Sequence, residues 1–300
     1  WGKAPYWGKQ ADLDFIQVDI DETRLGRNRP VRLGITADVR LFLQALIKKL
    51  ASLQAAMNID HRKQKTAALS DRIKQDREAL DQILNSEAAG MVSGHVPRIC
   101  RKVFNDDAVV VFDGGNSAVW GNFYTPVLTP NTQLGTPHMG HLGAGVGQAI
   151  AACLARPGNQ VYCIIGDGAM GFNMQEIETA VRNNLAPIFL VMNDKQWGMV
   201  KINQMVALDP VKEMFATALG PDKTGTINTE LGDIAWDDLA RSMGAFGARA
   251  DSPEALQTAL EQALASGICA VIQCDVDPAA HMFAPGLMHF KDMHQEPAGE

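Results

Sequence analysis

Residues Val161 to Met199 read VYCIIGDGAMGFNMQEIETAVRNNLAPIFLVMNDKQWGM, and the fold is decided there. Val161 to Ile165 is apolar, rich in β-branched residues and without helical period, which predicts a buried parallel strand. It ends at Gly166-Asp167-Gly168. Met174, Ile177, Ala180 and Val181 then recur at helical spacing, with Glu176 and Glu178 early, where a helix dipole favours acids. Pro187 restarts the chain, and Ile188 to Met192 predicts a second buried strand ending at Asn193-Asp194. The unit is β-α-β with an acid at the carboxyl end of each strand.

Carboxyl ends of neighbouring parallel strands converge on the crevice where open α/β sheets bind ligands. Asp167 and Asp194 are therefore expected to face one cavity, where two carboxylates repel unless a proton or cation lies between them. The glycine turn directs backbone N–H groups to the same place, which suits a phosphate. A hard divalent cation, Mg²⁺, bridging protein and phosphate oxygens satisfies both demands. Gly166-x-Gly168-x-x-Gly171 also matches a dinucleotide fingerprint, with Asp194 as the ribose acid of a nicotinamide cofactor. Against that reading stands Asp167, an anion inside the turn that must approach a pyrophosphate.

GDG, a helix, a strand and an Asn-Asn pair form the thiamine diphosphate motif, and Gly166-Asp167-Gly168 through Asn193-Asp194 resembles it in order and spacing. The resemblance implies that Asp167, Asp194 and the carbonyl of Gln196 hold Mg²⁺ on the cofactor diphosphate. It also places Gly166, Gly168 and Ala169 against the cofactor. Asp194 departs from the usual Asn; it keeps an oxygen ligand and adds a charge. Trp197, Gly198 and Met199 follow at the crevice mouth, a region that faces cofactor and substrate in the resembling enzymes. Packing of a core is the alternative for this Trp and Met.

Upstream, Val96 to Phe104 suits a helix, and Val109 to Phe112 a buried strand breaking at Asp113-Gly114-Gly115-Asn116-Ser117. Asn116 and Ser117 are placed to hydrogen-bond phosphate oxygens, or to cap the next helix. DGGNSAVWGNFY, from Asp113, resembles the acetolactate synthase stretch that contributes to the diphosphate site. In Gly135 to Ala152, GTPHMGHLGAGVGQAIAA, the glycines allow close backbone approach to a ligand or a helix. LGAGVGQAIAA, from Leu142, resembles the segment whose large apolar residue wedges beneath the cofactor and bends it into a V. That implies Leu142 as the wedge and the Gly140 carbonyl as acceptor from the aminopyrimidine. His138 and His141 flank it, as proton relays to a substrate or as wall residues.

The remaining chain sets limits. Three hundred residues, 46% hydrophobic, suffice for a large core and one or two domains. A formal charge of −7 without a basic stripe argues against a nucleic-acid surface. No apolar run is long enough to span a membrane, and no signal peptide is recognisable. Cys100, Cys153, Cys163, Cys269 and Cys274 lack metal spacing and read as reduced core residues of a cytoplasmic protein.

Residues 1–50 hold one strand, Phe15 to Ile20, and one helix capped by Asp38, with Val39, Leu41, Leu43, Leu46 and Ile47 on its apolar face. They read as the end of a domain. IQVDIDETRLGRNRPVRLGITADV resembles the end of the middle domain of acetolactate-synthase-like enzymes, which in several relatives carries FAD or ADP; an edge unit without ligand is the alternative. Residues 51–93 read as a solvated linker helix, and 94–300 as the diphosphate-binding domain. There, 204–232 is expected to be irregular, Trp236 to Met243 and Pro253 to Ala265 helical, and Cys269 to Cys274 a last buried strand. The tail from Asp277 either covers the site or is disordered.

The expected fold is α/β, a doubly wound, mainly parallel sheet flanked by helices and preceded by a fragment of another α/β domain. The resemblance implies a thiamine diphosphate- and Mg²⁺-dependent decarboxylase or carboligase acting on a 2-keto acid or aldehyde, acetolactate synthase-like. It implies a homodimer or homotetramer, and a pyrimidine-binding domain, supplied by a missing N-terminal part or another chain, whose glutamate activates the aminopyrimidine. A 2-hydroxyacyl-CoA lyase, an oxalyl-CoA decarboxylase, a nicotinamide oxidoreductase and a non-catalytic binding subunit are the alternatives.

Overall fold

The structure, a computed structural model, describes residues 13–53, 58–136, 139–208 and 226–287. The described residues divide into two compact units, one up to Arg77 and the other from Glu78 to Leu287.

In the first unit, β1 (Ile16–Asp19) pairs in parallel with β2 (Leu33–Thr36), and α1 (Val39–Ser52) follows. Asp38 caps α1 as expected, its Oδ1 accepting from the Leu41 amide at 3.0 Å. The apolar side chains of this unit have little to pack against: Leu41, Leu43, Leu46 and Ile47 are all exposed. Helix α2 (Ile59–Ile83) begins here; its charges are mixed in sign and none of its residues is buried.

The second unit is built on a six-stranded, wholly parallel sheet. In chain order its elements are α3 (His95–Val103), β3 (Val109–Asp113), α4 (Asn116–Tyr124), β4 (Gln133–Leu134), α5 (Ala144–Ala155) and β5 (Val161–Gly166). Then come α6 (Asp167–Asn173), α7 (Glu176–Arg182), β6 (Ile188–Asn193), α8 (Gly198–Leu208), α9 (Trp236–Ser242), β7 (Phe246–Ala250), α10 (Pro253–Ser266), β8 (Ala270–Asp275) and α11 (Pro278–Met282). The sheet order is β4-β3-β5-β6-β8-β7.

Alternate strand residues enter two separate cores, which is why Val161–Ile165 of β5 and Ile188–Met192 of β6 are apolar throughout. Tyr162, Ile164, Leu190 and Met192 pack with Val96, Trp120 and Leu256 on one face. Cys163, Ile165, Phe189 and Val191 pack with Val146, Met170, Ile177 and Trp236 on the other. Four cysteines are buried and Cys153 is half-buried, with no disulfide among them.

Some expectations need revising. The helix expected between β5 and β6 is two helices, α6 and α7, broken at Met174-Gln175, and Asp167 is the first residue of α6. The 204–232 stretch is not irregular at its start, since α8 runs to Leu208; residues 209–225 lie outside the described residues. Strand β7 (FGARA) carries a Gly and an Arg and shows no apolar run, so periodicity misses it; pairing with β8 makes it a strand. The chain joins this unit before Gly94, because Met91 bridges to Val276 beside the sheet. No described helix is long and apolar enough to cross a membrane.

Candidate cofactor site

Parallel sheets place ligands where successive connections leave neighbouring strands in opposite directions. From β3 the chain moves outward to β4; from β5 it moves the other way, to β6. The switch point is thus between β3 and β5; Asn116-Ser117 open the helix after β3, Asp167 opens the helix after β5, and Asp194 follows β6 directly.

These loops are tied together. Asp167 Oδ1 accepts from the Gly168 amide at 2.6 Å and its Oδ2 from the Lys195 amide at 2.7 Å, joining the β5 and β6 ends. Glycine makes the closeness possible. A Cβ on Gly198 would stand 2.8 Å from Asn116 Nδ2 and 3.2 Å from Asp194 Oδ2, and one on Gly166 would stand 3.0 Å from Ser117 Oγ. Gly198→Ala is expected to displace the Asn116 amide, cost about 1–3 kcal/mol by overpacking and weaken cofactor binding; calorimetry beside thermal unfolding checks both.

Burial pushes the Asp167 carboxyl up to about 6. Asp194 is pushed up to about 7, by burial first and then by the charge of Asp167. Two carboxylates this reluctant to ionise together are a site in want of a cation, and they are hard oxygen donors. Asn116 is 3% exposed, yet neither its Nδ2 nor its Oδ1 has a partner in the protein. A buried amide with both ends unmatched is costly unless a ligand completes it. Diphosphate oxygens and a divalent cation fit this donor set. No cluster of three or more His, Cys, Asp or Glu suited to a metal occurs among the described residues, so the cation would need backbone and phosphate oxygens as well.

The other expected site residues are distributed as follows. Ser117 is buried, its Oγ 3.5 Å from His281 Nε2. Gln196 is buried; its side-chain amide donates to Asp194 Oδ2 at 3.1 Å and to the Pro278 carbonyl at 2.7 Å. The Trp197 ring covers Gly168 and meets Phe172 edge-on at 6.1 Å. With Asp167 and Trp236 these residues line a recess of about 280 Å³. Met199 lies against Gly115. Ala169 is 2% exposed, its methyl within the second core, so only its backbone is available to a ligand. Leu142 is half-buried against that same core.

Gly140 and His141 stand apart from the carboxylate pair, lining with Asp113 and Gly114 a separate cavity of about 450 Å³. Gly140 has φ of 61°, a Cβ on it would meet nothing within 4 Å, and His141 is exposed. His138 lies outside the described residues. Sequence reasoning passed over Asp113, whose Oδ2 accepts from the Gly145 amide at 2.7 Å and anchors the start of α5. It also passed over His281, 3% exposed and driven down to about 4 by burial. The signal for His281 was present, an Asp277-Pro278 helix start directly after the last strand, but only the fold brings it to Ser117.

The family profile described as "Thiamine pyrophosphate enzyme, C-terminal TPP binding domain" matches residues 113–274, from the last residue of β3 almost to the end of β8. The chain belongs to the thiamine pyrophosphate enzyme family and carries its C-terminal cofactor-binding domain. It is 29% identical over 273 residues to a probable acetolactate synthase of Mycobacterium bovis, covering 88% of this chain and 44% of that protein. It is 26% identical to a 2-hydroxyacyl-CoA lyase of Arabidopsis thaliana, over 96% of this chain and 49% of that protein. To a sulfoacetaldehyde acetyltransferase of Alcaligenes xylosoxydans xylosoxydans it is 26% identical, over 89% and 45%. The chain thus spans about half the length of these curated relatives. A crystal structure of benzoylformate decarboxylase from Polynucleobacter necessarius shares the fold, with a TM-score of 0.53 at 17% identity over 65% of this chain and 35% of that one. The family match carries the diphosphate reading of the glycine turn over the dinucleotide one.

Proposed function

We propose that this chain supplies the diphosphate and Mg²⁺ half of the active site of a decarboxylase or carboligase acting on a 2-keto acid or aldehyde, acetolactate synthase-like. The observation that carries the reading is the buried Asp194, coupled to buried Asp167 and sharing the space beside Gly198 with an unmatched Asn116 amide. In this reading Asp167, Asp194 and the Gln196 carbonyl hold the cation, and Asn116 and Ser117 hydrogen-bond phosphate oxygens. The Trp197 ring, laid over Gly168, keeps water from the turn. Leu142 shapes the cofactor, the Gly140 carbonyl accepts from its aminopyrimidine, and His138 and His141 serve substrate protons from their loop. When bound, the cofactor supplies a nucleophilic carbon and an electron sink for breaking or making a carbon–carbon bond beside a carbonyl.

Residues 1–50 are read as the end of a middle domain, and a pyrimidine-binding domain from elsewhere in the polypeptide or from another chain completes the site, in a homodimer or homotetramer. A 2-hydroxyacyl-CoA lyase is the second reading, favoured by the likeness to the Arabidopsis protein over nearly the whole chain.

Titration calorimetry of thiamine diphosphate into the intact assembly, with Mg²⁺ and with EDTA, tests the proposal. Binding that requires Mg²⁺ is the expected result. Binding indifferent to Mg²⁺, or binding of NAD in place of thiamine diphosphate, overturns it.

A further inference from the structure

Helix α11 adds nothing to the sheet, yet it is fastened to the site on several sides. Asp277 caps it through the Ala280 amide at 2.7 Å and holds the Ala89 amide at 2.8 Å with its other oxygen. The Pro278 carbonyl accepts from Gln196 Nε2, and the His281 carbonyl from Trp120 Nε1 at 2.9 Å. So anchored, the helix presents one imidazole to the candidate metal pair. His281 Nδ1 is 2.6 Å from Ser93 Oγ, and its Nε2 is 3.5 Å from Ser117 Oγ and 4.0 Å from Asp194 Oδ2. Ser93 is itself fully buried.

We propose that His281 is a positioning residue: in the Nε2–H tautomer, with Nδ1 paired to Ser93, it points its donor toward Asp194 and Ser117 and sets the oxygens that receive the cation and the diphosphate. This rests on the cofactor reading above. A neutral imidazole has one donor and one acceptor nitrogen. An ionised carboxylate only accepts, so Asp194 Oδ2, 4.0 Å from Nε2 and beyond hydrogen-bond length, favours the tautomer that turns an Nε2–H toward it. Nδ1 is then the acceptor, and the Ser93 hydroxyl, which can donate or accept, takes the donor role. Asp194 Oδ2 has Gln196 as a donor, and that amide is shared with the Pro278 carbonyl. His281 Nε2, 4.0 Å away, is a further donor turned toward a carboxylate crowded by Asp167. Partners of this kind orient metal ligands, and their loss typically costs about 10–100-fold in metal affinity.

The test uses the full chain. His281→Leu removes the donor, whereas His281→Gln keeps an amide near the Nε2 position. His281→Leu is expected to weaken Mg²⁺-dependent thiamine diphosphate binding on the order of 10–100-fold, and His281→Gln to restore most of it. In an Asp194→Asn background, where no charge needs a donor, adding His281→Leu should cost little more; that non-additivity is the signature of direct coupling. An equal loss in both backgrounds, or no recovery in His281→Gln, overturns the proposal. Histidine ring ¹⁵N NMR of wild type, assigned among the seven histidines by the resonances lost in His281→Gln, provides a readout independent of cofactor. An Nε2–H tautomer whose shift moves in Asp194→Asn supports the proposal, and an Nδ1–H tautomer overturns it. If wild type binds no thiamine diphosphate, the cofactor reading fails, and the NMR result alone decides the role of His281. The same result decides if His281→Leu does not fold.

Discussion

Asp167→Asn is expected to abolish Mg²⁺-dependent binding of thiamine diphosphate, a loss of at least about 100-fold, beyond what outer partners of a metal usually cost. Both Asp167 oxygens are committed by backbone amides at the strand ends, so the carboxylate is held in place with its remaining lone pairs free for a cation. The amide keeps an oxygen but not the charge that a hard cation requires.

The same substitution makes a pH prediction for cofactor-free protein. Asp167 is raised from 3.8 to about 6 in the folded state, chiefly by burial, so the folded state binds more protons than the unfolded one between those values. Folding stability therefore falls as pH rises across that window, by on the order of 3 kcal/mol for a shift of about two units. Asp194, raised to about 7, carries the decline further toward neutrality. Denaturant unfolding in EDTA at a series of pH values should show this slope in wild type. It should be shallower in Asp167→Asn, because one titrating group is gone. In saturating Mg²⁺ and cofactor the slope should flatten or reverse, since a ligand bound only to the folded state stabilises it. A wild-type slope unaffected by Asp167→Asn would show that burial does not hold this carboxylate away from its ionised form.

Phe189→Ala should cost about 3–5 kcal/mol, the range for removing a large buried side chain. Phe189 is fully buried in β6, between β5 and β8, and packs in the core that contains Met170, Ile177 and Trp236. Against a total stability of about 5–15 kcal/mol, that loss endangers folding. Because β6 ends at Asn193, movement there also loosens Asp194 and Gln196. Chemical denaturation is the check, and a cost under about 1 kcal/mol would mean that the core collapses around the gap far better than close packing allows.

The βαβ unit and its acids were legible because two physical signals coincide in Val161–Asp194. Strands buried on both faces are apolar at every position, and a glycine turn with an acid has few uses. The break between α6 and α7 was not legible, because Met170, Met174 and Ile177 keep one apolar rhythm across it. Strand β7 was invisible, being made a strand by its partner β8. His141 and Gly140 were placed by resemblance beside the cofactor; the structure shows them lining a cavity with Asp113 and Gly114, a grouping that spacing alone did not give.

The sequence by itself determined the fold class, the strand ends that bear the acids and the family, because burial pattern, turn chemistry and motif spacing are local properties of the chain. Only the tertiary structure decided which polar groups meet. Asn116 is left unmatched by its buried position, and His281 is carried from the far side of β8 to Ser93, Ser117 and Asp194. Such contacts join residues up to 188 positions apart, and no local pattern encodes them.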